Sequence, residues 1–377
     1  MAKTSSLQSM DDLPVVIDAD AHVRESQEDF FPYLEEPYNQ WIHTRNKPSD
    51  PREEERVRSK VVKSVYPSPG AIHPDFTGRA DRVIVNSPED VKEGHFEKLG
   101  INKVVLTPSQ NLALGAVHHD DLAAAIASAY NEWMLDTILD ADPDFYGSIL
   151  IAPQKPEEAA EEIDRRADEE KFVAVQFPSA GANPLMGHEQ YYPIYEAAQD
   201  AGLGIHMHSA SQIDMISTFS FMARGTSRYL ETHSTLHSAE QMTNLASLLT
   251  HGVPERYPDV QFLMQEAGIG WLPYFMRRFD HEYTIARDDA PWLTQMPSEY
   301  IRSNFQISSQ PMEGIEEPEY IRSMINLLGP ENLLFSSDYP HHDFDNPEAL
   351  FNVLRGSLEE ADVEAIFGGN AQQFYNL

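Results

Sequence analysis

The stretch VVIDADAHVRE, residues 15–25, reads as an apolar strand that carries Asp18, Asp20 and His22 at every second position. Side chains two apart in an extended strand share a face, so strict alternation predicts all three on one side, with Asp18 one layer below the other two. Two acids and an imidazole on the inner face of a core strand need a reason. Either they build a metal or catalytic site, or the aspartate caps the next loop and the histidine is satisfied by its neighbours; this strand alone leaves both open.

Seven further apolar runs follow: KVVLTPS (103–109), YGSILIAP (146–153), FVAVQFPS (172–179), LGIHMHS (203–209), VQFLMQE (260–266), NFQISSQ (304–310) and NLLFSSDY (332–339). Between them lie segments with apolar residues at helical spacing, such as DDLAAAIASAYNEWMLDTILDAD, PEEAAEEIDRRADEE, YYPIYEAAQDAG and AEQMTNLASLLTHGVPERYPD. Eight strands alternating with helices predict an α/β fold, a (β/α)8 TIM barrel, with a doubly wound open sheet as the alternative. His22, Ser109, Ser179, His208, Glu266 and Asp338 close six of the eight runs. They fall at the carboxyl ends of the strands, the face on which barrels build active sites.

The polar, proline-rich stretch 24–98 is far longer than an ordinary barrel loop. It reads as an insertion after the first strand that lies over the barrel mouth as a lid, with Trp41, Tyr66 and Phe76 as its packing aromatics. No repeat or linker divides residues 1–377, so one domain is expected.

The chain has 61 acidic and 27 basic residues and a formal net charge of -34. Nucleic acid and anionic membranes select basic surfaces, so both are excluded as partners. The acids are dispersed and lysine is scarce, a pattern expected of adaptation to high salt. The absence of cysteine removes disulfides, thiolate ligands and a cysteine nucleophile. No apolar run approaches the ~18 residues of a membrane span, and the first residues lack a signal-peptide pattern; a cytoplasmic location is expected.

Any metal must therefore be held by His, Asp or Glu. His206 and His208 repeat the two-residue spacing on the fifth strand, and Asp338 closes the eighth, followed by YPHHDFD. Three strands deliver imidazole or carboxylate to one rim, which points to a metal site; an unpaired carboxylate cluster would be costly to bury.

The motifs IDADAHV, GIHMHS, GVPERYPDVQFLMQEAGIGWLPYFMRRFD, NLLFSSDYPHHDFDNP and the terminal FGGNAQQFY, with Tyr375, span nearly the whole chain. In these the chain resembles the amidohydrolase-related branch of the amidohydrolase superfamily that includes aminocarboxymuconate-semialdehyde decarboxylase. The resemblance implies that Asp20 and His22 replace a first-strand His-x-His pair, that His208 is the fifth-strand ligand with His206 deeper, and that Asp338 is the eighth-strand carboxylate, a ligand that also handles a proton. Such a mixed N and O set with an open position suits Zn²⁺ first and Mn²⁺ second. The resemblance also implies a homodimer.

One family feature is missing. A histidine expected six residues before a proline falls, counting from Pro273, on Ala267. Glu266 could replace it only if the strand bulges, since a one-residue offset reverses the side chain. His233, His237, His341 and His342 are other candidates, with His341 best placed beside Asp338; His118 and His119 read as exposed loop residues. Arg224 and Arg228, with His233, are candidate substrate-binding residues, because guanidinium grips carboxylate in bidentate fashion. The expected activity is a metal-dependent non-oxidative decarboxylase (carboxy-lyase) of a small carboxylated, conjugated or aromatic acid, in which Asp338, His341 and Glu266 are catalytic. A hydrolase of an amide or lactone on the same site and a non-catalytic metal- or ligand-binding barrel are the alternatives.

Overall fold

The structure, a computed structural model, describes residues 7–39, 83–210, 229–341 and 343–377. Eight strands pair in chain order, every pair parallel: β1 (Ile17–His22), β2 (Lys103–Thr107), β3 (Phe145–Leu150), β4 (Phe172–Pro178), β5 (Gly204–His208), β6 (Phe262–Gln265), β7 (Phe305–Ser308) and β8 (Leu333–Leu334). The eighth run is a regular strand over only two residues. Beyond it the chain lies along β1: the Ala19 amide donates to the Phe335 carbonyl, Asp338 to Asp20 and His22 to Tyr339, each at 3.0 Å. These bonds close the sheet into the expected (β/α)8 barrel.

Helices follow the strands on the outside, among them Asp120–Trp133, Pro156–Arg166, Tyr192–Ala201, Tyr229–Thr250, Trp271–Ile285, Pro318–Leu328 and Pro347–Ser357. Several open with proline in the first turn, where its missing N–H is no loss. Gly202, at φ 66°, ends the helix before β5 in the left-handed conformation glycine adopts freely. No helix among the described residues is long and apolar enough to cross a membrane.

The inner core of the barrel holds Ile17, Ala19, Val105, Ala174, Leu263 and Leu334, packed against Phe374 and Tyr375 of the C-terminal helix Asn370–Tyr375. That helix plugs the end of the barrel opposite the site. β5 begins with glycine because the Phe374 ring leaves no room: a Cβ on Gly204 would lie 2.5 Å from it.

The first strand departs from strict alternation. The register of β1 on β2 runs Ile17 to Lys103 and Asp18 to Val104, then slips by one residue before Ala21 to Leu106 and His22 to Thr107. This bulge lets two successive residues share a face. Ala19 packs in the inner core and Asp20 also turns inward, whereas Asp18 bonds Ser337 and comes within 3.6 Å of His95 on the outer segment Lys92–Lys98. The expectation that Asp18, Asp20 and His22 share one face is therefore corrected: Asp18 supports the barrel wall from the other side.

The described flanks of the stretch 24–98 return to their origin, since the Arg24 amide donates to the Val85 carbonyl at 2.7 Å. Phe30 is buried against Tyr130. Residues 40–82, and with them Trp41, Tyr66, Phe76 and the expected lid, lie outside the described residues.

Candidate metal centre

The carboxyl ends of β1, β5 and β8 converge. His22 Nε2 lies 3.4 Å from Asp20 Oδ1 and 3.1 Å from Asp338 Oδ1, and His208 Nε2 lies 3.6 Å from Asp20 Oδ1. All four side chains are buried. Both imidazoles turn Nδ1 to backbone, His22 to the Pro108 carbonyl at 2.9 Å and His208 to the Ser209 carbonyl at 2.7 Å. Donation from Nδ1–H leaves each Nε2 lone pair facing the acids, the tautomer in which histidine ligates metal. His22 Nε2, His208 Nε2, Asp20 Oδ2 and Asp338 Oδ2 have no hydrogen-bond partner although buried. Buried ligand atoms without a partner are costly unless an ion satisfies them, and ligand atoms of Asp20, His22 and His208, and of His22, Asp338 and His341, lie within 4.8 Å of one another, so the residues fit a divalent cation.

With protein charges alone, His22 compensates the acids: burial would lower its pKa, but the adjacent Asp20 and Asp338 carboxylates raise it to about 10. Burial pushes Asp338 up, with His22 opposing, and pushes His208 down against the pull of Asp20.

Surrounding groups hold these ligands. Gln265 Nε2 and Thr107 Oγ1 donate to Asp20 Oδ1 at 3.0 and 3.3 Å. Asp18 accepts from the Ser337 amide at 2.9 Å and from its hydroxyl at 2.5 Å, fixing the residue before Asp338. His341 spans Asp338 Oδ1, at 2.6 Å from Nδ1, and Ser109 Oγ, at 3.2 Å from Nε2, and its ring lies 4.3 Å from that of His22. His206 sits deeper, 2.9 Å from the Tyr375 hydroxyl, and burial lowers its pKa to about 3.

The end of β6 resolves the question of Ala267 and Glu266. The strand stops at Gln265, and Glu266 takes φ 48°. That left-handed turn brings both Gln265 and Glu266 to the pocket, while Ala267 packs in the hydrophobic core. No strand bulge is involved. Glu266 Oε2 lies 3.7 Å from His208 Nε2, and Oε1 lies 3.8 Å from both His233 Nε2 and His237 Nδ1. Burial, reinforced by Asp338, Asp343 and Asp20, pushes its carboxyl well above the usual range. Asp338 is likewise left-handed, at φ 60°. Such backbone is uncommon for non-glycine residues and gathers at functional sites.

Among the other candidates, His233 lies 3.2 Å from Asp343 and outside the Asp20–His208 cluster. His119 caps a helix, accepting from the Leu122 amide, and His118 is exposed. Arg224, Arg228 and His342 lie outside the described residues. Sequence reasoning missed Gln265, Thr107, Asp343 and Glu25, whose buried carboxylate accepts from the Ser109 and Asn111 amides at 2.9 and 2.8 Å. Thr107 and Gln265 had a signal in their position at strand ends; Glu25 and Asp343 had none.

The amidohydrolase family model matches residues 100–377. A gamma-resorcylate decarboxylase from Polaromonas sp. is 24% identical over 302 residues, covering 75% of this chain and 85% of that protein. The crystal structure of 5-carboxyvanillate decarboxylase from Sphingomonas paucimobilis superposes with a TM-score of 0.67 at 24% identity, covering 96% of this chain and 99% of the other. A dihydroxybenzoic acid decarboxylase from Polaromonas sp., with bound manganese and the inhibitor 2-nitroresorcinol, gives a TM-score of 0.67 at 20% identity, covering 96% and 97%. At these identities the structural likeness is one of fold.

Proposed function

The chain belongs to the amidohydrolase family, and on that premise we propose that it is a metal-dependent non-oxidative decarboxylase of a small aromatic or conjugated carboxylic acid. The observation that carries this reading is the set of buried, partnerless atoms on Asp20, His22, His208 and Asp338. Those four residues would hold the cation, which when bound polarises substrate oxygens and neutralises their charge. Two carboxylates and two imidazoles suit Mn²⁺ as well as Zn²⁺. The manganese in the dihydroxybenzoic acid decarboxylase favours Mn²⁺ over the Zn²⁺ expected from sequence.

Decarboxylation requires a proton at the carbon that bears the carboxylate. In this reading Asp338, whose carboxyl burial pushes up, delivers the proton to that carbon and a C–H bond forms. The C–C bond to the carboxylate then breaks, its electron pair returns to the conjugated system and CO2 leaves. His341, 2.6 Å from Asp338 Oδ1, restores the proton. Glu266, whose oxygens lie 3.7 Å from His208 and 3.8 Å from His233 and His237, lines the pocket beside the cation as the third catalytic group of this reading. Arg224 and Arg228 remain the proposed anchors of the substrate carboxylate, and the single-domain organisation with 24–98 as a lid remains part of the same reading.

The test is CO2 release from 2,6-dihydroxybenzoate, 5-carboxyvanillate and related hydroxybenzoates by metal-free protein reloaded with Mn²⁺ or Zn²⁺, beside Asp338→Asn. Metal-dependent release that falls about a hundredfold or more in the variant is expected. Turnover of amides or lactones alone would make the protein a hydrolase. No metal-dependent turnover of either class would leave a binding barrel.

A further inference from the structure

The helix Tyr229–Thr250 presents His233 and His237 four residues apart, one turn of the helix, so both imidazoles face the same way. They face Glu266. Ligand atoms of His233, His237 and Glu266 lie within 4.8 Å of one another, as do those of Glu266, Asp338 and Asp343. We propose that His233, His237 and Glu266, with Asp343 at the edge, form a second divalent-cation site, and that Glu266 is shared between it and the site of Asp20, His22, His208 and Asp338.

Three observations support this arrangement. First, the Glu266 oxygens are divided. Oε2 faces His208 at 3.7 Å, and Oε1 faces His233 and His237 at 3.8 Å each. These gaps are too long for hydrogen bonds. They match the separation of about 3–4 Å between neighbouring ligands when each lies about 2.0–2.2 Å from a common ion.

Second, the shared carboxylate and one imidazole are enclosed while the rim is open. The Glu266 side chain is 9% exposed and that of His237 10%, whereas His233 is 23% and Asp343 26% exposed. A cation held here has fixed inner ligands and a path to solvent.

Third, Asp20, Asp338, Glu266 and Asp343 bring four carboxylates into contiguous groups, and a second cation beside Glu266 supplies counter-charge where burial makes it most valuable. Two imidazoles with one or two carboxylates suit Mn²⁺, Co²⁺ or Zn²⁺. The spacing of the histidines on one helix is within the range seen in zinc sites.

The experiment is equilibrium dialysis of the whole protein against Mn²⁺ and, separately, Zn²⁺, with elemental analysis and, for Mn²⁺, electron paramagnetic resonance. Wild type should bind two equivalents, and the Mn²⁺ signal should broaden through coupling of neighbouring ions. His233→Ala/His237→Ala should bind one, and so should Asp20→Ala/His22→Ala, each with the uncoupled signal. Glu266→Gln, a nearly isosteric change, should weaken the second equivalent at least tenfold; it serves if the double variants lose their circular dichroism signature. Saturation of wild type at one equivalent that folded His233→Ala/His237→Ala retains would overturn the proposal, as would two equivalents in that variant. A single equivalent removed by His233→Ala/His237→Ala but not by Asp20→Ala/His22→Ala would keep this site and refute the first, so the two readings fail separately.

Discussion

Replacing Asp18 tests the bulge that turns Asp20 into the pocket. In the structure the Asp18 carboxylate accepts from the Ser337 amide at 2.9 Å, the Ser337 hydroxyl at 2.5 Å and the Asp20 amide at 3.2 Å, all buried. Asp18→Ala leaves two backbone N–H groups without acceptors, since only the hydroxyl can turn elsewhere. At about 1–3 kcal/mol for each orphaned group, the loss is about 4 kcal/mol. A chain of 377 residues unfolds with an entropy of about 0.8 kcal/mol per degree, so the melting midpoint should fall by about 5 °C. Asp18→Asn keeps one acceptor oxygen and should fall by about 2 °C. Because Ser337 precedes Asp338, Mn²⁺ affinity should also weaken by about 10–100-fold in the alanine variant. Thermal unfolding of metal-free protein and Mn²⁺ titration read the two effects. A wild-type midpoint combined with complete loss of the ion would place Asp18 among the ligands, facing inward as strict alternation predicts, and refute the argument.

Four other outcomes are expected. Asp338→Asn should lose CO2 release together with most Mn²⁺ affinity, whereas Tyr375→Phe, which strands His206 Nε2, should lower stability by about 1–3 kcal/mol and leave Mn²⁺ stoichiometry unchanged. Burial raises the Glu25 pKa from 4.5 to about 7. A raised carboxyl stabilises the fold below pH 4.5 and loses that contribution as pH rises through about 7, by up to about 3 kcal/mol; Glu25→Gln should flatten the stability profile across that window in urea titrations. A net charge of -34 makes self-repulsion large, so the melting midpoint should rise as KCl is raised to about 2 M. A midpoint independent of salt would refute the reading of the surface as salt-adapted.

The sequence by itself determined the barrel. Eight apolar runs separated by helical periodicity leave few ways to bury every strand. Asp20, His22, His208 and Asp338 were legible because strand ends in a barrel point to one rim, whatever the details of each strand. Tertiary structure alone decided which side chains actually turn inward. The β1 bulge sends Asp18 outward, and the left-handed turns at Glu266 and Asp338 re-aim those carboxylates. None of these backbone choices has a residue signature, because aspartate and glutamate adopt left-handed φ only when their surroundings hold them there. The meeting of His233 and His237 with Glu266 and Asp343 was equally hidden. It joins a helix after β5, a turn after β6 and a loop after β8, and no spacing along the chain encodes how those three pack.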